Sequence, residues 1–208
     1  MKPVASLGVL TSLLSTSVVA QTVNFDADTV GAAPSGWTCG VTGRGSPRWT
    51  VAVEPGAPSG TNVLRQTGSG TFPWCVRTGT SLSDGFVEVK FKPLTGREDQ
   101  AGGLVWRWKD GDHYYVARAN ALENNVSLYY TEGGSRRTIR YVDAPVASGA
   151  WHTLRVEFVA TRISVSLDGK RYIDVEDSHI GGTGSVGVWT KADSVTAFDA
   201  FAYGAARR

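Results

Sequence analysis

Arg107, Arg118, Asn120, Trp189 and Lys191 put an aromatic ring, three cations and an amide within one half of this 208-residue chain. An aromatic plane that lies against a pyranose face and a few fixed polar groups for its hydroxyls are the parts that binding a sugar requires. These residues fall on the faces opposite the apolar positions of their strands, provided that Val186, Val188 and Thr190 point inward. Trp189 reads equally as core packing, because the parity of its strand is the assumption. Arg118 and Asn120 stand more firmly, since charged and amide side chains rarely face a core unpaired. Elimination chemistry would ask for a base beside a cation that holds an enolate. His113 or Tyr114 with Arg107 or Arg118 contains those groups, although His113 reads as well as an exposed residue at a loop end.

The elements that must position these residues are strands. In Gly102 to Tyr130, Leu104, Trp106 and Trp108 alternate with Gly103, Val105 and Arg107, the period of two of a half-buried strand. Lys109-Asp110-Gly111-Asp112 supplies turn chemistry. Tyr115, Ala117 and Ala119 then alternate with Tyr114, Val116, Arg118 and Asn120. This is one antiparallel hairpin, with Arg107 and Arg118 offered to one face and Trp106 and Tyr115 to the core. The same alternation marks Val87 to Phe91, Val126 to Leu128, Leu154 to Phe158 and Ile163 to Leu167. Asp168-Gly169 is a strong hairpin signal. Further strands are expected at Trp49 to Val53, Val63 to Gln66, Arg136 to Val142, Arg171 to Val175, Ser185 to Thr190 and Ala197 to Tyr203. The 25 glycines and the absence of an amphipathic helical pattern argue against helices. About a dozen short antiparallel strands bury their apolar faces as two stacked sheets or as a barrel.

Lys2, followed by the apolar or small run Val4 to Val19 and closed by Val18-Val19-Ala20, reads as a signal peptide over residues 1–20. Residues 21–208 then form a single domain, placed outside the cytosol as a secreted or periplasmic protein. No later segment approaches the ~20 apolar residues of a membrane span. Two cysteines, Cys39 and Cys75, fit one disulfide in a secreted chain. Closing that loop is worth ~3–4 kcal/mol in the chain-entropy model. Lysine and arginine number 21 against 19 acidic residues, a balance that makes nucleic acid a poor partner. Arg136, Arg137 and Arg140 read as a solvated strand and turn. Asn125-Val126-Ser127 is a glycosylation sequon where the host glycosylates secreted proteins.

Three stretches, WRWKDGDHYYVARANALENNVSLYY, SGAWHTLRVEFVATRISVSLDGKRY and GSVGVWTKADSVTAFDAFAYG, resemble the concanavalin A-like lectin/glucanase superfamily. Within it, the stretches look like laminin-G-like domains and the bacterial 3-keto-disaccharide hydrolase domain. The resemblance covers Gly85 to Gly204. The N-terminal NFDADTVGAAPSGWTCG departs from the opening of the hydrolase domain. The resemblance implies an all-β jelly-roll sandwich of two antiparallel sheets, a glycan groove on the concave sheet, and a calcium ion on the convex side.

Glycosidic hydrolysis normally needs two carboxyls, about 5 Å apart for retention and about 6.5–9.5 Å for inversion. The laminarinase-type Glu-x-Asp-x-Glu is absent. Its nearest equivalent, Glu88-Val89-Lys90-Phe91-Lys92, has one carboxyl and two lysines. Glu123 is the best remaining acid near the implied groove, and it reads equally as a turn glutamate. For calcium, Asp26 and Asp199 would meet where the first and last strands pair, or would be solvated edge residues. The leading expectation is therefore a secreted module that binds carbohydrate, with calcium as a structural ion. The alternatives are a glycoside hydrolase or eliminase acting on a di- or polysaccharide, and a non-glycan adhesion module.

Overall fold

The computed structural model describes residues 20–206, so the expected leader, apart from Ala20, lies outside the described residues. Fifteen strands and no helix are described. In chain order they are β1 (Gln21–Val23), β2 (Trp37–Ser46), β3 (Trp49–Val53), β4 (Asn62–Gln66), β5 (Ser69–Arg77), β6 (Gly85–Thr95), β7 (Ala101–Asp110) and β8 (His113–Asn120). There follow β9 (Asn125–Glu132), β10 (Ser135–Asp143), β11 (His152–Val159), β12 (Arg162–Leu167), β13 (Lys170–Glu176), β14 (Ser185–Trp189) and β15 (Val195–Ala205).

The strands form two antiparallel sheets. One has eight strands in the order β13-β12-β11-β6-β15-β4-β3, with β1 paired to β15; the other has seven in the order β10-β9-β8-β7-β14-β5-β2. Their inner faces meet in one core, because the period-two alternation sends one side chain in two toward the facing sheet. Val87, Val89 and Phe91 of β6 and Leu154, Val156 and Phe158 of β11 supply the first layer. Leu104 and Trp106 of β7 and Tyr115 and Ala117 of β8 supply the second. Trp106 stacks on Tyr115 with ring centroids 5.2 Å apart, as their parity on the hairpin requires.

Cys39 and Cys75 face each other across β2 and β5 and form the expected disulfide. β5 escaped the sequence reading because Gly70 and Pro73 interrupt it. The ladder tolerates Pro73 because its carbonyl accepts the Thr190 N–H (2.9 Å), while the proline has no N–H to leave unpaired. The turn at Asp168 and Gly169 has φ of 50° and 78°, the left-handed pair a two-residue hairpin demands.

Candidate functional site

The outward face of the seven-stranded sheet is hollow. Tyr114, Val116 and Trp189 point away from the core yet are fully buried; no further layer lies above them among the described residues, and side chains of the same face cover them, Phe72 and Arg136 over Trp189 and Thr42 at the Tyr114 hydroxyl. Phe72 and Trp74 of β5, Val105 of β7 and Tyr129 of β9 complete an aromatic and aliphatic bed. Gly103 makes room for it: a Cβ there would come within 2.8 Å of the Ala117 carbonyl oxygen and 3.2 Å of the Trp189 ring. Arg118 and Trp189 can therefore lie side by side.

At one end of this bed the face turns polar. Arg118 on β8 donates through Nη1 to Asp99 Oδ1 (2.8 Å) and through Nη2 to Glu123 Oε2 (2.5 Å). Asn120, two residues on and therefore on the same face, donates through Nδ2 to the same Asp99 oxygen (2.6 Å). Lys191 Nζ reaches the other Asp99 oxygen. Asn125 donates to Glu123 (2.7 Å) and to the Tyr141 hydroxyl (2.5 Å). One buried carboxylate is thus held by a guanidinium, an ammonium and an amide, and Arg118 links it to a second carboxylate.

Asp99 is set in place from the neighbouring loop. The Asp193 carboxylate accepts the backbone N–H groups of Arg97 (2.7 Å), Glu98 (3.0 Å) and Asp99 (3.1 Å). Burial pushes the Asp193 carboxyl up, but those three N–H dipoles outweigh it and hold the group below its ordinary value. At Glu123 burial likewise raises the pKa, and the Asn125 amide with the Arg118 and Lys191 charges brings it below normal. Ionised Glu123 is an acceptor, whereas a general acid would need its carboxyl shifted upward.

Of the five residues expected to bind carbohydrate, the structure brings Arg118, Asn120, Trp189 and Lys191 to this face. Three of them are its foundations: the side chain of Arg118 is 3% exposed, and Asn120 and Trp189 are wholly covered. Lys191 at 24%, Glu123 at 33% and Tyr141 at 49% remain open to a ligand. Arg107 lies elsewhere. Its φ is 46° and the ladder slips between Trp106 and Asp110, so a bulge turns its side chain off the face that simple alternation assigns. Its guanidinium donates to the carbonyls of Ser83 (3.0 Å), Ile180 (3.1 Å) and Ala160 (2.6 Å) and stands 5.7 Å from the Phe158 ring centroid. That is a structural strut between loops.

The groups considered for elimination are not assembled. His113 sits at the far end of β8 from Asn120, about 20 Å away at ~3.3 Å per residue. It contacts Asp110 (2.9 Å) and accepts the Gly133 N–H (3.3 Å). Tyr114 is buried, with its hydroxyl 2.8 Å from Thr42 Oγ1, and burial raises its pKa. The sequon asparagine, Asn125, is also fully buried, with its amide nitrogen engaged. Sequence reasoning missed Asp99, Asp193 and Tyr141, of which only Asp193 carried a signal, lying two residues after Lys191 in a polar turn. It read Arg136 as solvated with Arg137 and Arg140; the latter two are exposed, but Arg136 folds over the Phe72 and Tyr129 rings.

Asp26 and Asp199 converge on the loop before β4. Asp26 Oδ1 accepts the N–H groups of Thr61 (2.9 Å) and Asn62 (3.0 Å), and Asp199 Oδ2 accepts that of Ser59 (2.7 Å). Asp199 is fully buried. Burial raises its pKa, and the charge of Asp26 adds to the rise against backbone bonds that oppose it. Among the described residues, no group of three or more His, Cys, Asp or Glu is arranged to hold a metal.

No protein-family model matches the chain, and no curated protein matches it in sequence. Solved structures do. The carbohydrate binding module CBM66 from Bacillus subtilis is 22% identical, with a TM-score of 0.64 over 80% of this chain and 93% of that one. The Bacillus licheniformis beta-glucanase is 14% identical, with a TM-score of 0.60 over 93% of this chain and 100% of that one. The VIP36 exoplasmic/lumenal domain in its Ca2+/Man-bound form is 12% identical, with a TM-score of 0.55 over 88% of each chain. The two-sheet topology and these likenesses together identify the fold of the described residues as a concanavalin A-like jelly roll.

Proposed function

We propose that this chain is a secreted carbohydrate-binding module that takes a glycan on the hollow face of its seven-stranded sheet. The observation that carries the reading is the ion network of Asp99, Arg118, Glu123 and Lys191, built into a sheet face with no layer above it. Buried ion pairs are poor stabilisers compared with apolar packing. Their use here fits a task of fixing polar groups at set positions for a ligand's hydroxyls. The solved neighbours, a carbohydrate binding module and a mannose-bound lumenal domain among them, support the same reading. Secretion is supported by the leader-like N-terminus and the disulfide.

The test is a glycan array followed by calorimetry with the intact disulfide-bonded chain. Glu123→Gln and Lys191→Ala are expected to weaken binding at least about tenfold, the scale of a lost charge-assisted hydrogen bond, read at a temperature where both variants remain folded, since each change also removes a partner of a buried charge. Binding untouched by both changes would place the glycan elsewhere.

Two carboxylates on one guanidinium keep a glycoside hydrolase as the second reading. Against it, both oxygens of Asp99 are already engaged, and ionised Glu123 cannot supply a proton. Turnover of di- or polysaccharides that disappears in Glu123→Gln would overturn the binding-only reading.

Calcium is the finer part of the proposal. It would join Asp26 and Asp199, where a buried carboxylate with a raised pKa faces a second one, and where the carbonyls of Asp26 and Asp28 lie 3.5 Å from the Asn62 amide. Carboxylate and carbonyl oxygens are the ligands calcium takes, although here the N–H groups of Ser59, Thr61, Asn62 and Ala200 hydrogen-bond to the two carboxylates. The fold reading predicts a melting temperature lowered by EDTA and restored by calcium; an unchanged melt would leave the two aspartates as clamps on backbone N–H groups alone.

A further inference from the structure

Beside the Asp99 network, the hollow face holds a cation that makes no ion pair among the described residues. Arg136 on β10 folds over the aromatic bed, its guanidinium carbon 4.1 Å from the Tyr129 ring centroid, 4.6 Å from that of Phe72 and 5.6 Å from that of Trp189. Its Nη1 is buried without a hydrogen-bond partner. Of the nearby carboxylates, Asp99 is engaged by Arg118 and Lys191 and Glu123 by Arg118, while Glu98, exposed on the cavity rim, makes no ion pair with Arg136. Burial draws the Arg136 pKa down, and the charge of Arg118 works in the same direction.

Arg136 opens onto a cavity of about 420 Å³ lined also by Arg44, Phe72, Lys191 and Glu98, within the usual range of small-ligand sites. Three cations and one acid line it. Phe72 stacks on Trp189 at 5.8 Å, so one wall is flat and apolar. A guanidinium fixed by its aromatic neighbours presents a planar fork, the geometry that carboxylates and other oxyanions match in pairs of hydrogen bonds. A neutral sugar would leave the half-desolvated charge without a counterion; an acidic one would supply it.

Resting on the carbohydrate reading, we infer that this cavity selects glycans bearing an oxyanion, a uronate carboxylate or a sulfate ester, and that Arg136 binds that group while Lys191 and Glu123 hold the neighbouring hydroxyls. Arg137 and Arg140 on the same strand are exposed to solvent. They contribute only diffuse charge.

The test is titration of the full disulfide-bonded chain with polygalacturonate, its fully methyl-esterified form, dextran sulfate and neutral dextran, at about 0.05 M and about 0.5 M salt, a range over which exposed charges become screened. An acidic polymer is expected to bind at least about tenfold more tightly than its neutral counterpart, the difference a charge-assisted pair supplies. Preference for polygalacturonate identifies a carboxylate as the ligand group, and preference for dextran sulfate identifies a sulfate. Arg136→Gln should abolish the preference with an unchanged melt, Arg136→Lys should keep part of it, and Arg137→Gln should keep it all. Equal binding of acidic and neutral polymers would overturn the inference while leaving the carbohydrate reading intact. Equal losses in Arg136→Gln and Arg137→Gln would overturn it too, showing diffuse attraction. Binding to no polysaccharide, here or on the array, would overturn both readings.

Discussion

On the outer face of the eight-stranded sheet, Arg155 bridges Glu88 and Glu157 at 3.2 and 2.9 Å, and Arg162 meets Asp174 at 2.7 Å, with every one of these side chains at least 33% exposed. On the outer face of the seven-stranded sheet, Arg118 meets Asp99 at 2.8 Å with side-chain exposures of 3% and 0%. Both faces carry arginines at strand positions opposite the core, Arg155 and Arg162 on one and Arg118 on the other, and by alternation alone they are equivalent. What separates them is the solvent. Water screens the first set, so each pair contributes little and can be exchanged for another polar pair. The second set has lost its water, so each member depends on the others for its hydrogen bonds. Hollows of about 310 and 480 Å³ exist on the first face as well, but the charges lining them are already paired, Glu157 with Arg155, and both Arg162 and Arg171 with Asp174. Arg136 is the cation that breaks this balance on the second.

The contrast is broken most severely by Asp99→Ala, which removes the buried one of the two carboxylates that Arg118 binds and leaves only Glu123. Removing one partner of a buried pair costs about 3–5 kcal/mol, read as a shift in the denaturant midpoint. Glu157→Ala, the matching change on the exposed face, should cost no more than ~1 kcal/mol. Equal losses would remove the distinction between the faces.

A smaller loss is expected for Asp193→Ala, which frees three backbone N–H groups at a partly solvated loop. About 1.5 kcal/mol is reasonable for bonds to a charged acceptor that water can replace. Glycan affinity should fall with it, since the loop carrying Asp99 is no longer held; a weakened fold with full affinity would separate that loop from the site.

The smallest effect is on the pH profile. Asp193 and Glu123 have folded pKa values below their unfolded ones. Their contribution is present above the unfolded carboxylate range, about 4, and is lost as pH falls through the lower folded values. Asp174 on the exposed face shares the direction, chiefly through its hydrogen bonds from Arg162. Raising the salt concentration should therefore flatten the part of the acid-induced drop in melting temperature that Asp174→Asn removes, and leave the part that Asp193→Asn removes. Identical salt responses would mean that both carboxylates are equally screened.

Much of the scaffold was legible because period two is a property of consecutive residues. Val87, Val89 and Phe91, or Tyr115, Ala117 and Ala119, announce a buried face without reference to anything distant. The same rule placed Trp189 outside the core once Val186 and Val188 were taken as inside, and it set Arg118 and Asn120 together. It failed at Arg107 because a bulge inserts residues into one strand only, and nothing in Trp-Arg-Trp-Lys reports that partner geometry. Trp189 also shows the limit of a correct parity: it faces outward, yet Arg136 and Phe72 leave it no open ring for a sugar.

The sequence by itself determined most of the strands, β2 and β5 excepted, the inward and outward sets on most of them and the Cys39 to Cys75 bridge, and it narrowed the class to a sandwich or a barrel. Tertiary structure alone decided which outer face is hollow, and it alone brought Asp99 from one loop, Asp193 from another and Arg136 from an edge strand to the base of the Arg118 face. The reason is physical: alternation is encoded between neighbours, whereas burial of a charge depends on the curvature of a sheet and on partners 19 to 94 residues away along the chain.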